Sequence, residues 1–151
     1  MTKRELGESY FKQGYNCAQA VTLTFIDVLK IDSETALKLI SGFGGGFGRM
    51  REVCGAVSGM VFVLNSVIGY SDASDNLKKM ELYKNVQLLM NKFKEKNGSY
   101  VCRELIGVEA QNGGYVPEKR TEAYYKKRPC ESLVGDACEI LENFFKDNNL
   151  I

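Results

Sequence analysis

The sequence has no histidine among its 151 residues, and this absence excludes several kinds of site. A Ser-His or Cys-His catalytic pair, a histidine metal ligand and a histidine proton shuttle all require an imidazole. Proline is also scarce, with two residues in the chain. Because proline breaks or kinks a helix, its scarcity favours long uninterrupted helices. The five cysteines are what remains for unusual chemistry.

An excess of charge of one sign is also lacking, since 20 Lys and Arg residues face 19 Asp and Glu residues. Sequence-independent nucleic-acid binding depends on the neutralisation of phosphates by Lys and Arg, so we expect no nucleic-acid partner. A chain of this length corresponds to one domain, because domains have roughly 100–200 residues. We therefore predict a single cysteine-containing helical domain over residues 1–151.

The N-terminal region lacks the apolar stretch of about 7–15 residues that a secretory signal peptide contains. Together with the odd number of cysteines, this predicts a cytoplasmic protein whose thiols are reduced at rest. Residues 53–71 carry no charge and are long enough to span a membrane. Glycines, serines and Asn65 dilute the hydrophobicity of this stretch. We therefore predict no membrane insertion, and instead a central helix that is buried on all sides.

Helical periodicity and capping residues predict an all-α fold, a single-domain bundle of five to seven helices with a buried central helix from about Cys54 to Ile68. Asn16, Asp32 or Ser33, and Ser99 are candidate N-caps. Five glycines in residues 42–48 predict a break, and residues 108–128 are the least regular region. A long helix is expected to start at Ser71 or Ser74 and to end at Asn97 and Gly98. Its predicted apolar stripe contains Leu77, Met80, Tyr83, Val86, Met90 and Phe93.

Four of the five cysteines fall in the predicted first turns of four different helices. Unpaired N–H groups and the helix dipole stabilise negative charge there and lower the pKa of a thiol. We expect Cys54 to be the most reactive, because Gly55 leaves its sulfur unshielded. Cys138 lies in the middle of the last helix and is expected to be an inert core residue. The four cysteines at helix starts are Cys17, Cys54, Cys102 and Cys130.

The glycine-rich run at residues 43–50 lacks the G-K-[ST] ending of a phosphate-binding loop, and no strand precedes it. A conformational role is therefore expected, since glycine adopts positive φ and allows close backbone approach. Arg49 and Arg51 either stabilise a thiolate at Cys54 or lie in solvent. The basic and aromatic stretch from Lys119 to Arg128 is expected to be a solvated flap.

Several motifs of the chain resemble one protein family. They are the runs GYNCAQAV at 14–21, FGGGFGRMREVCGAVSG at 43–59 and CRELIG at 102–107, together with Cys130. They resemble the bacterial and archaeal C_GCAxxG_C_C family, whose members are described as redox-active and share four cysteines and a CGAxxG motif. The resemblance assigns the four cysteines to Cys17, Cys54, Cys102 and Cys130 and the motif glycines to Gly55 and Gly59, while Cys138 is an addition.

Three functions remain open at this point. The first is thiol redox chemistry, as in a thiol-based oxidoreductase with a redox partner protein, in which Cys54 is the reactive thiolate and Cys17 the resolving partner. The second is a zinc site or an iron–sulfur cluster, with Gly55 and Gly59 as candidate cofactor-binding residues. The third is a non-catalytic helical interaction module, and a homo-oligomer is compatible with each function. The four candidate metal ligands are Cys17, Cys54, Cys102 and Cys130.

Overall fold

The computed structural model describes residues 1–107 and 114–151 and confirms the all-α fold. Within these ranges, β-structure is limited to one antiparallel bridge between Val53 and Val101. The helical segments, which are more numerous than the expected five to seven, are α1 (Lys3–Lys12), α2 (Cys17–Thr24), α3 (Ile26–Leu29), α4 (Ser33–Ile40), α5 (Gly44–Phe47), α6 (Gly55–Ile68), α7 (Asn76–Asn97), α8 (Cys102–Ile106), α9 (Glu122–Lys127) and α10 (Cys130–Asp147).

Helix starts follow local capping signals. Asn16 and Gln19 form a capping box at the start of α2, and the Asp32 side chain accepts a hydrogen bond from the Thr35 amide in α4. The long helix α7 begins after Asp75, whose side chain accepts from Lys78, and not after Ser71 or Ser74 as expected. The N-cap of α8 is Val101 and not Ser99. The irregular region expected at 108–128 contains α9, and its residues 108–113 lie outside the described part.

Helices α2 and α6 pack closely against each other. Gly59 lies on α6 where α2 approaches, and a Cβ added there would lie 2.8 Å from the Ala18 carbonyl oxygen and 3.1 Å from Val21 Cβ. These separations are shorter than a carbon atom tolerates from a backbone neighbour. Ala18 and Val21 are fully buried, so the contact lies in the core. Gly59 therefore sets how closely the two helices approach.

Helix α6 is apolar but is not buried on all sides, in contrast to the prediction. Ala56, Val57 and Met60 are fully buried, whereas Asn65 and Ser66 near its end are exposed. The prediction was wrong because the 14-residue helix reaches the surface at its C-terminal turns, where the polar residues lie. No helix in the described ranges combines the length and the apolarity that crossing a membrane requires.

The buried face of α7 differs from the predicted stripe. Leu77, Met80 and Tyr83 are 65%, 56% and 51% exposed, whereas Leu82 and Leu89 are buried together with Phe93. A helix turns by about 100° per residue, so successive steps of three residues drift around its surface. The buried residues are instead spaced by seven and four, which keeps them on one face. The predicted stripe is therefore correct at Phe93 and at the partly buried Val86 and Met90, and wrong at its three N-terminal members.

A charged network joins α1, α7 and α10. Arg4 contacts both Asp136 and Glu139, and Lys96 Nζ lies 3.1 Å from Asp136 Oδ1. Burial raises the pKa of Asp136, but the hydrogen bonds and charges of Arg4 and Lys96 outweigh it, so that the pKa is lowered overall. The hydrogen bond from Arg4 lowers the pKa of Glu139. Both carboxyl groups are thus held in their charged forms.

Replacing Gly59 by leucine should reduce the free energy of unfolding by about 1–3 kcal/mol, because the added side chain overpacks the α2–α6 contact. Urea denaturation measures the effect. Gly42→Leu is the matched control, since nothing lies within 4 Å of a Cβ added at Gly42, and its effect should stay within about 0.5 kcal/mol. Equal denaturation midpoints for the two variants would contradict the assigned contact.

Acid should weaken the fold through Asp136 and Glu139. Because folding lowers both pKa values, their stabilisation is present above the unfolded-state pKa of about 4 and is lost as the pH falls toward the folded-state values. The free energy of unfolding, measured in urea between pH 7 and pH 3, should fall below about pH 5. Asp136→Asn should make this decline shallower. An unchanged pH dependence in that variant contradicts the role of the network.

Candidate functional site

Four of the five cysteines line one cavity of about 290 Å³. Each occupies a helix start, as the sequence predicts: three are the first residues of α2, α8 and α10, and one is the N-cap of α6. Two of them are buried and two are half-buried, and all are free thiols. In chain order they are Cys17, Cys54, Cys102 and Cys130. The fold thus brings together residues that are far apart in the sequence.

Cys17 is placed by the same α2–α6 contact that involves Gly59. A Cβ added at Gly55 would overlap the Cys17 sulfur and lie 3.0 Å from the Phe43 carbonyl oxygen. The Cys17 sulfur therefore lies against the backbone of the residue that follows Cys54. Gly59, a candidate cofactor-binding residue, instead packs against α2 and is not among the residues that line the cavity. Gly55 does line it.

Cys54 and Cys102 are held by backbone pairing between their two segments. The Cys54 amide donates to the Tyr100 carbonyl at 2.8 Å, and the Cys102 amide donates to the Glu52 carbonyl at 2.6 Å. These bonds flank the isolated bridge between Val53 and Val101. The pairing brings the first turns of α6 and α8 to the same cavity.

The glycine-rich loop has the conformational role that the sequence predicts. Gly45 and Gly46 have φ values of 69° and 70°, and a Cβ added at Gly46 would lie 2.8 Å from Cys102 Cβ. Phe47, Arg49 and Arg51 also adopt positive φ. For residues other than glycine this conformation costs about 1–3 kcal/mol and is concentrated at functional sites. The strained turn directs Arg49 and Arg51 to the cavity wall.

Arg51 is 8% exposed and lies beside Cys102, whereas the sequence analysis placed it near Cys54. Its Nη1 donates to the Cys102 sulfur at 3.9 Å, and its Nη2 lies 3.9 Å from Glu118 Oε1. The same carboxylate oxygen contacts Arg49 Nη2 at 3.5 Å and also contacts Arg128. Three guanidinium groups therefore converge on one carboxylate at the cavity.

The stretch from Lys119 to Arg128 supplies site residues that the sequence analysis assigned to a solvated flap. Arg120 stacks over the Phe11 ring at 4.1 Å and donates to the carbonyls of Phe11 and Tyr15 at 2.9 and 3.0 Å. Arg120, Arg128 and Glu118 all line the cavity. The interleaving of arginines with tyrosines was the available signal, because arginine stacks on aromatic faces.

The expectation of a lowered pKa at Cys54 is wrong. Burial raises the pKa of the Cys54 thiol well above its ordinary value, and the adjacent Cys17 raises it further. The amide groups of Ala56 and Val57 lower it, as expected for a helix start, but by less. Loss of hydration is the larger effect because Cys54 is only 5% exposed. Cys54 is therefore a protonated thiol at neutral pH.

Burial also has the largest effect on the pKa values of Cys102 and Cys130. It raises the pKa of Cys102, although Arg51 opposes the change. Burial and Cys17 raise the pKa of Cys130 to about 12, with Arg128 opposing them. Cys17 contributes to the raised pKa of Cys54, Cys102 and Cys130 alike. The Cys17 thiol thus lies close enough to the other three to affect their ionisation.

The four candidate metal ligands share the cavity, and their role in binding a metal stays a prediction. Among residues 1–107 and 114–151, no three cysteine, aspartate or glutamate side chains are placed so that they could hold one metal ion. The arrangement therefore offers no preformed site for a single ion in the described part of the chain.

Cys138 lies apart from the cavity, as predicted. It is fully buried in α10 next to α1, where a Cβ added at Gly7 would lie 2.6 Å from its sulfur. Burial raises its pKa to about 12, and a hydrogen bond with Thr24 opposes the change. Its surroundings are those of an unreactive core thiol.

Residues 15–144 match the model of one protein family, described as "Putative redox-active protein (C_GCAxxG_C_C)". The chain belongs to this C_GCAxxG_C_C family. The match covers most of the chain and includes all four cysteines of the cavity and both motif glycines. No curated protein and no solved structure matches the chain. The family thus supports redox activity in general terms and leaves the reaction to be inferred from the site.

Iodoacetamide should alkylate Cys17 first and Cys138 last. Cys17 is half-buried, whereas Cys138 is fully buried and its pKa is raised to about 12. Timed labelling of the reduced protein, followed by peptide mass spectrometry, measures the order. The rates at Cys130 and Cys138 should still be rising above about pH 10, where an ordinary thiol with a pKa of about 8.5 is almost fully ionised. Labelling of Cys54 ahead of Cys17 contradicts the account.

Proposed function

We propose that the protein performs dithiol–disulfide exchange with Cys17 and Cys54 as its redox pair. The observation that carries this proposal is the position of the Cys17 sulfur against Gly55, directly after Cys54 in the chain. The raised pKa of Cys54, to which Cys17 contributes, agrees with two neighbouring thiols. The membership in a redox-active family supports the same class of chemistry.

The burial of the two thiols suggests their roles, which are the reverse of those expected from the sequence. Cys17 is half-buried and begins α2, so it is the thiol that meets the oxidant. Cys54 is buried beneath it and is the resolving thiol. The Cys17 thiol loses its proton to water and attacks a disulfide of the oxidant, releasing one thiolate. Cys54 then attacks the Cys17 sulfur, and its proton passes to the second leaving thiolate.

The electrostatics of the pair favour this order. A thiol next to an ionised thiol is harder to ionise, and Cys17 has this effect on Cys54. Once Cys17 is part of a mixed disulfide it cannot ionise, so its contribution to the raised pKa of Cys54 is removed. Burial still raises that pKa, and the amide groups of Ala56 and Val57 oppose it by stabilising the thiolate. Cys54 is thus easier to ionise at the step in which it must attack.

In this proposal, the molecule that accepts the electrons contains a disulfide. The expected location of the protein is the reducing cytoplasm. The alternative of a zinc site requires three or four protein ligands around one ion, and such a group is not found in the described part of the chain. Cys102 and Cys130 line the same cavity and take no part in this scheme.

Oxidation of the reduced protein with a small disulfide should yield a Cys17–Cys54 linkage in non-reducing peptide mass spectra. Cys54→Ser should stop the reaction at a mixed disulfide on Cys17, because the resolving thiol is missing. Cys138→Ser is the matched control and should form the linkage in full yield. A dominant linkage that omits Cys17 or Cys54 overturns the pairing. Stoichiometric iron or zinc in anaerobically purified protein favours the cluster alternative instead.

A further inference from the structure

The cavity that contains the cysteines is strongly basic for a chain with a net charge of +1. Its charged lining consists of four arginines and one glutamate, a surplus of three positive charges. The thiols offset little of it, because the pKa values of Cys54, Cys102 and Cys130 are raised and these groups stay neutral at pH 7. The arginines are Arg49, Arg51, Arg120 and Arg128, and the glutamate is Glu118.

Backbone dipoles add to this positive potential. The helices α2, α6 and α10 have 8, 14 and 18 residues, and all three begin at the cavity. The N-terminus of a helix carries about half a positive charge, which favours anions. Three independent helix starts therefore act in the same direction as the arginines.

The chain's own carboxylate shows where an anionic group fits. Glu118 Oε1 contacts the guanidinium groups of Arg49, Arg51 and Arg128. Glu118 is 37% exposed and belongs to residues 117–121, which have no regular secondary structure. Arg51, in contrast, is buried and is fixed against Cys102. The arginine group is thus a built carboxylate site, and the carboxylate in it is held by a surface segment.

We propose that the cavity binds a small disulfide that carries a carboxylate, with Arg49, Arg51 and Arg128 holding the carboxylate in exchange for Glu118. This inference rests on the proposed function, because the disulfide is the substrate of Cys17 and Cys54. The reduced protein and the disulfide RSSR give a Cys17–Cys54 disulfide and two molecules of RSH. Two electrons and two protons pass to the substrate. The volume of about 290 Å³ suits a molecule of this size.

Three small disulfides of similar length and different charge test the proposal by kinetics. They are dithiodipropionate, a dianion, bis(2-hydroxyethyl) disulfide, which is neutral, and cystamine, a dication. The rate of Cys17–Cys54 formation with each is divided by the rate of 2-mercaptoethanol, a thiol with no other charged group, with the same disulfide, which corrects for intrinsic reactivity. The dianion should be favoured over the neutral compound by about tenfold or more, and salt should reduce this preference.

The outcomes distinguish this inference from the proposed function. Formation of the Cys17–Cys54 disulfide at equal corrected rates with all three probes overturns the anion site and leaves the redox function standing. Failure of every probe to form that disulfide overturns the redox function. In that case binding of suberate, the sulfur-free dianion of the same length, still tests the anion site by thermal shift. Its neutral counterpart, 1,6-hexanediol, should produce no shift.

Two variants assign the anion site to its residues. Glu118→Gln removes the competing carboxylate from a part-exposed position, so suberate should bind about two- to fivefold more tightly, the scale of a part-exposed ion pair. Glu122→Gln is the matched control, because it removes a charge of the same sign at an exposed nearby position that does not line the cavity. It should leave suberate binding unchanged.

The arginines could instead serve only to stabilise thiolates. In that case Glu118→Gln shifts the pH profile of alkylation but leaves suberate binding and the preference for the dianion unaltered, and the proposal is wrong.

Discussion

The close approach of α2 to α6 across Gly55 and Gly59 is the contact on which the site depends. Gly59 allows the backbone at Ala18 to rest on α6, and Gly55 leaves room for the Cys17 sulfur. The CGAxxG motif is therefore a packing device as well as a cysteine motif, because its two glycines lie four residues apart on the face that meets α2. A side chain at either glycine would separate Cys17 from Cys54.

The site balances two opposing electrostatic effects. Burial raises the pKa of Cys54, Cys102 and Cys130, while helix starts and arginines favour negative charge in the same space. The outcome is a group of protonated thiols inside a positive cavity. Such a cavity keeps these thiols protonated and at the same time attracts anions. The strained turn at Arg49 and Arg51 is part of this arrangement, because it directs both side chains to the cavity wall.

Local signals in the sequence were sufficient to predict where many of the helices begin and end. Asn16, Asp32 and Gly98 mark helix ends through hydrogen bonds and backbone angles that involve only near neighbours. Of the helix starts at the four cysteines, that of α2 has such a side-chain cap, whereas α6, α8 and α10 begin without one. The buried face of α7 was not predictable in this way, because Leu82 and Leu89 are selected by contacts with distant helices. The spacing of Leu77 and Met80 fits a helix face equally well, so the sequence alone did not distinguish them from the buried residues.

The chemistry of the site was harder to predict from the sequence than the identity of the cysteines that form it. The family motif identifies the four cysteines that the fold brings together, but the pKa of Cys54 depends on burial, which the sequence does not specify. Arg51 reaches Cys102 and not Cys54 because the segment of residues 100–103 pairs with residues 51–54. Glu118 and Arg128 meet Arg51 only through tertiary folding.

The most direct test of the central contact is the equilibrium constant for Cys17–Cys54 disulfide formation in a glutathione redox buffer. The constant reports how closely the two sulfurs are held, independently of any physiological substrate. Gly55→Ala should lower it by about tenfold or more, since overpacking costs about 1–3 kcal/mol and 1.4 kcal/mol is a factor of ten. Gly42→Ala, at a position with open space around an added Cβ, should leave the constant unchanged. Equal constants for the wild-type protein and Gly55→Ala would contradict the claim that this glycine contact creates the redox pair.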